Sequence, residues 1–166
     1  LLGGEAYYEG KEGFMGAMKT FDRTSPIVAA MAVGIARAAY ERALGFVKEN
    51  FEMGRPIGRY RAIEELLARA KRKIEASRFL IYRAAWMGDA GIPNAKEASM
   101  SKAYAARAAT DILADLVQVM GAAGVLHDNF LEKWFRDIKV YDIFEGTGEI
   151  QRIVISKRIL KDLKAF

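Results

Sequence analysis

Thr24-Ser25-Pro26-Ile27-Val28-Ala29-Ala30-Met31-Ala32-Val33-Gly34-Ile35 begins an apolar pattern of helical period that sets the architecture. Val28, Met31, Ala32, Ile35, Ala39, Ala43, Phe46 and Val47 keep this spacing as far as Asn50. A hydroxyl residue just before a proline reads as an N-cap with Pro at the first helical position, so the first helix is expected to start here. Upstream, residues 1–20 hold Gly3, Gly4, Gly10, Gly13 and Gly16 among Tyr7, Tyr8 and Phe14 without a steady period. They read as a Gly-rich connector, with a helical turn near Met15 to Thr20 at most.

Downstream, Met53-Gly54-Arg55-Pro56-Ile57-Gly58 interrupts the pattern. A second helix carries Ile63, Leu66, Leu67, Ala70, Ile74, Ser77, Ile81, Ala84 and Ala85, ending near Gly88 to Pro93. A third starts near Asn94, carries Met100, Ala103, Ala109, Ile112, Leu113, Leu116, Val119 and Met120, and stops at Gly121-Ala122-Ala123-Gly124. A short helix over Leu131 to Ile138 holds Trp134 and Phe135, and Thr147 caps a last helix reaching about Lys164. Long helices with one apolar stripe bury best against one another, and short breaks make neighbours antiparallel. The expected fold is all-α: an up-down-up-down four-helix bundle over residues 21–166, with one additional short helix and no sheet.

Composition agrees. The 166 residues are 52% hydrophobic with only three prolines, which excludes a disordered chain. There is no Cys, which removes disulfides, thiolate metal sites and cysteine nucleophiles and suits a reducing compartment, cytoplasmic or mitochondrial matrix. His127 is the only histidine, so no multi-His metal site is expected. No apolar run was expected to approach the roughly 20 residues of a membrane span. The net charge of +5 and pI of about 9.4 leave nucleic acid, an anionic surface or a phosphorylated small ligand as partners. Basic and acidic residues interleave along the helices, as in Arg69-Ala70-Lys71-Arg72-Lys73-Ile74-Glu75, and read as solvated faces rather than a nucleic-acid patch.

The stretch with chemistry in it is Tyr141-Asp142-Ile143-Phe144-Glu145-Gly146-Thr147-Gly148-Glu149-Ile150-Gln151-Arg152. It sets one carboxylate, Glu145, after apolar Ile143 and Phe144 and just before a helix start. There, free backbone N–H groups face outward. Spacing alone leaves two readings open: a base in a pocket, or a carboxylate serving the helix dipole or a cap.

The same stretch resembles the signature of the acyl-CoA dehydrogenase family, an aromatic residue followed by Glu-Gly-Thr and an Ile-Gln-Arg helix. The resemblance runs from about Phe14 to the C-terminus. It is carried by Phe21-Asp22-Arg23-Thr24-Ser25-Pro26, Arg83-Ala84-Ala85-Trp86, Ala98-Ser99-Met100-Ser101-Lys102-Ala103, Val117-Gln118-Val119-Met120-Gly121 and Trp134-Phe135-Arg136-Asp137-Ile138-Lys139. Each is weak alone; their order and spacing are specific together.

The resemblance implies the C-terminal helical domain of an FAD-dependent enzyme that desaturates an acyl-CoA thioester, with Glu145 removing the α-proton. It implies flavin contacts at Gln118, Gly121, Ala122, Thr147, Glu149, Asn50 and Arg61, with Arg55 or Arg59 as alternative cations. It implies substrate contacts at Asp22, Arg23, Gly146 and Lys157. The chain departs from the family pattern at Asn50, Met53, Arg61 and Ala122 on the flavin side and at Ser25 on the substrate side. The family further implies a homodimer or homotetramer and an electron acceptor such as an electron-transfer flavoprotein. Its usual N-terminal helical and β domains lie outside this sequence, so the isolated chain is expected to be inactive. The alternatives are a split-subunit or degenerate relative, and a non-catalytic helical interaction module.

Overall fold

The computed structural model describes residues 12–163, and residues 1–11 of the expected connector lie outside them. Five helices make up nearly all of it: α1 (Glu12–Glu49), α2 (Arg61–Asp89), α3 (Ala95–Met120), α4 (Leu131–Ile143) and α5 (Gly148–Leu163). The expected all-α class holds.

The first difference from expectation is at the start. Thr24-Ser25-Pro26 does not begin the first helix; α1 begins at Glu12 and carries Pro26 inside it, so residues 12–20 are helix rather than connector. An interior proline removes one N–H and orphans the carbonyl four residues back, here that of Asp22. Asn94 supplies the missing donor: its Nδ2 reaches the Asp22 carbonyl at 3.4 Å while also donating to the Ala84 carbonyl at 2.8 Å. Asn94 is buried and precedes α3 without capping it. The break before α2 also differs. Phe51–Glu52 and Arg55–Pro56 pair as a minimal antiparallel hairpin around Met53 and Gly54, both at positive φ. Two such central residues match the right-handed twist of paired strands.

The core lies between α1, α2 and α3. The facing side of α1 is almost entirely small: Ala29, Ala32, Ala36, Ala39 and Ala43 are fully buried. They meet Ala105, Ala109, Ile112, Leu113 and Leu116 of α3 and Leu67, Ala70 and Ile74 of α2. Small side chains let helix axes approach closely, so dispersion contacts accumulate without large voids. Outside this core, Arg69 grips Asp115 with two hydrogen bonds of 3.0 and 2.7 Å, and Lys73 meets Asp111 at 2.9 Å, fixing α2 along α3. Met31, placed on the buried stripe by periodicity, instead faces outward.

Helix α3 packs on all four other helices. With the turn that follows, Ala95–Val125, it also contains an 18-residue window of mean hydropathy 1.3, long and apolar enough to cross a membrane by length and composition alone. The expectation that no stretch reaches that length is corrected here; a helix enclosed by four neighbours acquires such composition as a core element. Helix α4 runs five residues beyond its expected end and brings Leu131 and Ile138 onto the core. Helix α5 starts directly after Thr147, as expected, and lies along α3.

Candidate functional site

The loop between α4 and α5 places two consecutive residues at positive φ. Phe144 ends α4 in an extended conformation, Glu145 sits at φ 55° and Gly146 at φ 89°. A left-handed residue with a Cβ is disfavoured by roughly 1–3 kcal/mol and persists where its surroundings over-determine it. Three side chains do so here. Lys102 of α3, 1% exposed, donates from Nζ to the Gly146 carbonyl at 2.5 Å. Gln151 of α5, 5% exposed, donates from Nε2 to the carbonyls of Glu145 and Gly146, both at 3.2 Å. Thr147 accepts the Ile150 N–H at 3.4 Å, the N-cap bond expected of it. At Gly146 a side chain is disfavoured twice: by its positive φ, and because a Cβ would lie a tight 3.1 Å from the Gln151 Nε2.

These contacts are made by the loop's backbone, and they leave the carboxylate of Glu145 unengaged. Its Oε2 is buried yet has no hydrogen-bond partner among the described residues. A buried carboxylate oxygen without a donor is expensive in a finished core, and suits a group whose partner arrives with a substrate. The aromatic rings of Tyr141 and Phe144 meet edge to face at 5.4 Å, giving the loop an apolar flank.

The local charges are ordered around Lys102. Burial pushes its ammonium below the usual lysine range, and the charges of Asp142 and Glu145 oppose that fall. Asp142 also meets Lys139 at 3.6 Å. Glu149, in the first turn of α5, is held below the ordinary carboxylate value, first by its own backbone N–H and then by the Thr147 hydroxyl. It thus serves the helix start.

The other expected site residues fall into separate places. Asn50, Gln118, Gly121 and Ala122 share one open cavity of about 580 Å³ at the far end of α3, with Phe46, Phe51 and Ile63 among its walls. Asn50 also closes α1, its Nδ2 donating to the Phe46 carbonyl at 2.8 Å. Arg61 is not part of this cavity; it is exposed and pairs along its own helix with Glu65 at 3.0 Å. The cation beside the cavity is Arg55, stacked 3.9 Å over the ring of Tyr60, itself a lining residue. Lys102 and Gln118 are sixteen residues apart on α3, about 24 Å at the helical rise. One copy of the chain therefore does not join the Glu145 loop to this cavity.

Asp22 and Arg23 line a second cavity, of about 700 Å³, between α1 and α2, with Pro26, Ile27, Tyr82 and Asn94. Burial raises the Asp22 carboxyl above its usual range, and the nearby charge of Arg158 pulls it back. Arg158 and Lys157 are both exposed on α5, and it is the charge of Arg158 that acts on Asp22. Among the described residues no cluster of His, Asp or Glu could hold a metal ion.

Sequence reasoning passed over Lys102, Gln151 and Asn94 as functional groups. A signal was present for Lys102: it is a charge on the stripe of Ala98, Ala105, Ala106 and Ala109, where a solvated residue has no place. Asn94 could be found only from the carbonyl that Pro26 orphans.

The family profile described as acyl-CoA dehydrogenase, C-terminal domain, matches residues 11–160. A cyclohexane-1-carbonyl-CoA dehydrogenase of Geobacter metallireducens is 44% identical over 154 residues, which are 93% of this chain and 40% of the relative. The butyryl-CoA dehydrogenase of Megasphaera elsdenii superposes with a TM-score of 0.88 at 36% identity, over 91% of this chain and 39% of that one. A chain from the structure of the electron transferring flavoprotein of Acidaminococcus fermentans gives a TM-score of 0.88 at 38% identity, over 90% of this chain and 39% of that one. The chain thus spans about 40% of the length of the relatives it matches.

Proposed function

The chain belongs to the acyl-CoA dehydrogenase family, whose C-terminal domain it carries, and from that premise we propose that it serves the α,β-dehydrogenation of an acyl-CoA thioester, with Glu145 as the base. The observation that carries this reading is the buried, partnerless Oε2 of Glu145 on a turn whose backbone is held from three sides.

Glu145 takes the proton from the carbon α to the thioester carbonyl. That proton is far too weakly acidic for a free carboxylate. The setting helps in two ways. The loop positions the oxygen without hydrogen bonds that would blunt it, and the apolar flank of Tyr141 and Phe144 keeps water away. Bound FAD would supply the acceptor for the hydride that leaves the β-carbon. The residues fit part of that cofactor: the cavity at the end of α3 offers the exposed amide of Gln118, apolar walls, the open backbone at Gly121 and Ala122, and the Arg55 cation for a pyrophosphate. Asp22 and Arg23 line the cavity between α1 and α2 proposed for the CoA portion, and the charge of Arg158 acts on Asp22 there.

The separation between the Glu145 loop and the Gln118 cavity supports assembly with a second copy as a homodimer or homotetramer, so that each end of α3 serves a different site. The likeness to a chain from an electron transferring flavoprotein structure supports an electron-transfer flavoprotein as the acceptor.

The test is Glu145→Gln in the flavin-loaded enzyme containing this chain. Gln preserves the shape but is no base, so flavin reduction by acyl-CoA should slow by about 10²–10⁴-fold, with folding and flavin content unchanged. Reduction at the wild-type rate would remove Glu145 from the reaction and restore the reading of a carboxylate that serves only the helix start.

A further inference from the structure

We propose that Lys102 is the positioning residue of the Glu145 base: its buried ammonium clamps the Gly146 carbonyl and sets the left-handed turn that presents the carboxylate. This rests on the reading of Glu145 as base.

Three observations converge on it. First, the turn needs an external restraint, because Glu145 at φ 55° has no intrinsic preference for that conformation. The Lys102 bond of 2.5 Å is the shortest of those that supply it. Second, the restraint acts on the backbone and leaves Oε2 of Glu145 without a partner. Holding the residue and engaging its reactive atom are thus assigned to different groups. Third, a charge is used where a neutral donor would hold the carbonyl: Gln151 already donates to the same oxygen from α5 at 3.2 Å. An ammonium that is 1% exposed is unfavourable in proportion to its desolvation. What the charge adds is a field on the carboxylates facing it, Asp142 from α4 and Glu145 from the loop. Asp142 has a second cation in Lys139, and α5 contributes the neutral Gln151, its own Glu149 pairing with Arg152 at 3.5 Å. Glu145 enters no ion pair among the described residues, which leaves Lys102 as the cation facing it across the turn.

The experiment uses two variants, Lys102→Met and Lys102→Gln, the second keeping a donor without the charge. In the full 166-residue chain without flavin or substrate, the Glu145 carboxyl carbon is followed by ¹³C NMR against pH. Its midpoint is expected to move upward in both variants, because removing a nearby cation favours the protonated acid. In the flavin-loaded enzyme, flavin reduction by acyl-CoA is expected to slow by about 10²-fold for the Met variant, the scale of an ångström-sized misplacement. The loss should fall on kcat with little change in KM, and the acid limb of the pH profile should move upward. A residue that only supported the fold would lower thermal stability and move neither titration nor profile. A folded variant with an unchanged Glu145 midpoint and an unchanged rate overturns the proposal. If neither variant folds, the wild-type chain decides: the Lys102 ammonium ¹⁵N resonance should follow the Glu145 titration, and its indifference overturns the clamp. Retained proton abstraction in Glu145→Gln would instead remove the base reading, and the NMR titration, which needs no substrate, separates the two failures.

Discussion

Helices α3 and α5 carry the same kind of apolar period and meet opposite fates. In α3 the stripe is enclosed: Ile112, Leu113 and Leu116 are fully buried against α1 and α2. In α5 the large apolar residues Ile150, Ile153, Ile159 and Leu160 are about half exposed, while the buried side chain among its described residues is the polar Gln151. The stripe of α3 builds the fold. The start of α5 is fixed by polar bonds to a strained loop, and its apolar face is left for another surface. Periodicity reports that a face suits burial; it does not report which surface covers it.

The contrast breaks most sharply at Leu116. Leu116→Ala on α3 should lower unfolding free energy by about 2–5 kcal/mol through lost transfer energy and the cavity left behind, read as a shift of the urea midpoint at constant slope. A loss below about 1 kcal/mol would mean the core relaxes around the site and α3 is not the central element described here.

Gln151→Leu tests the other helix. It deprives the Glu145 carbonyl of its side-chain donor, and about 1–3 kcal/mol is expected for a buried polar group left unsatisfied. The effect should be local: amide hydrogen exchange should rise through the loop and the first turns of α5 and stay unchanged in α3. Equal acceleration in both helices would show that α5 is part of the cooperative core.

The same contrast explains what could be read from the sequence. The helices and their order follow from apolar periodicity and from the break at Met53–Gly58. The Glu145 loop follows from its signature, and Asn50, Gln118, Gly121 and Ala122 do meet in one cavity. The start of α1 did not follow, because the Thr-Ser-Pro cue is local whereas Asn94, which lets the helix run through Pro26, is 68 positions away. The target of the clamps was equally hidden: Lys102 stands out as a charge on an apolar stripe, but it and Gln151 act on backbone carbonyls, which carry no sequence signal. Arg61 pairs along its own helix with Glu65, while Arg55 of the hairpin stacks on Tyr60, a wall of the Gln118 cavity.

A smaller effect is expected at Asp22, which sits where the charge of α5 meets α1. Burial raises its pKa above the ordinary 3.8, against the opposing charge of Arg158. The folded state therefore holds this proton more tightly than the unfolded chain, and the associated stability is lost as pH rises from about 3.8 through the folded pKa. Asp22→Asn, which cannot ionise, should have a slightly higher Tm than wild type at pH 7, with the difference shrinking as pH falls below that window. A Tm difference that grows on acidification would reverse the sign and show that the Arg158 attraction outweighs burial.

The smallest effect on stability should come from the face that α5 leaves uncovered. Ile153 is 47% exposed in a single copy, so Ile153→Ser removes little buried area on folding and should change unfolding free energy by no more than about 0.5 kcal/mol. Its consequence should lie in association. Ile150, Ile153 and Leu160 would give a second surface an apolar strip to cover, and apolar area removed from water contributes about 25 cal/mol per Å². Placing a hydroxyl in such a strip leaves it without a partner when covered and well solvated when free. Sedimentation velocity at micromolar concentration should therefore show wild type self-associated and the variant shifted toward monomer, with superimposable circular dichroism. If wild type and variant sediment alike, the cover for α5 is not a second copy, and the difference between the two helices calls for a surface from elsewhere.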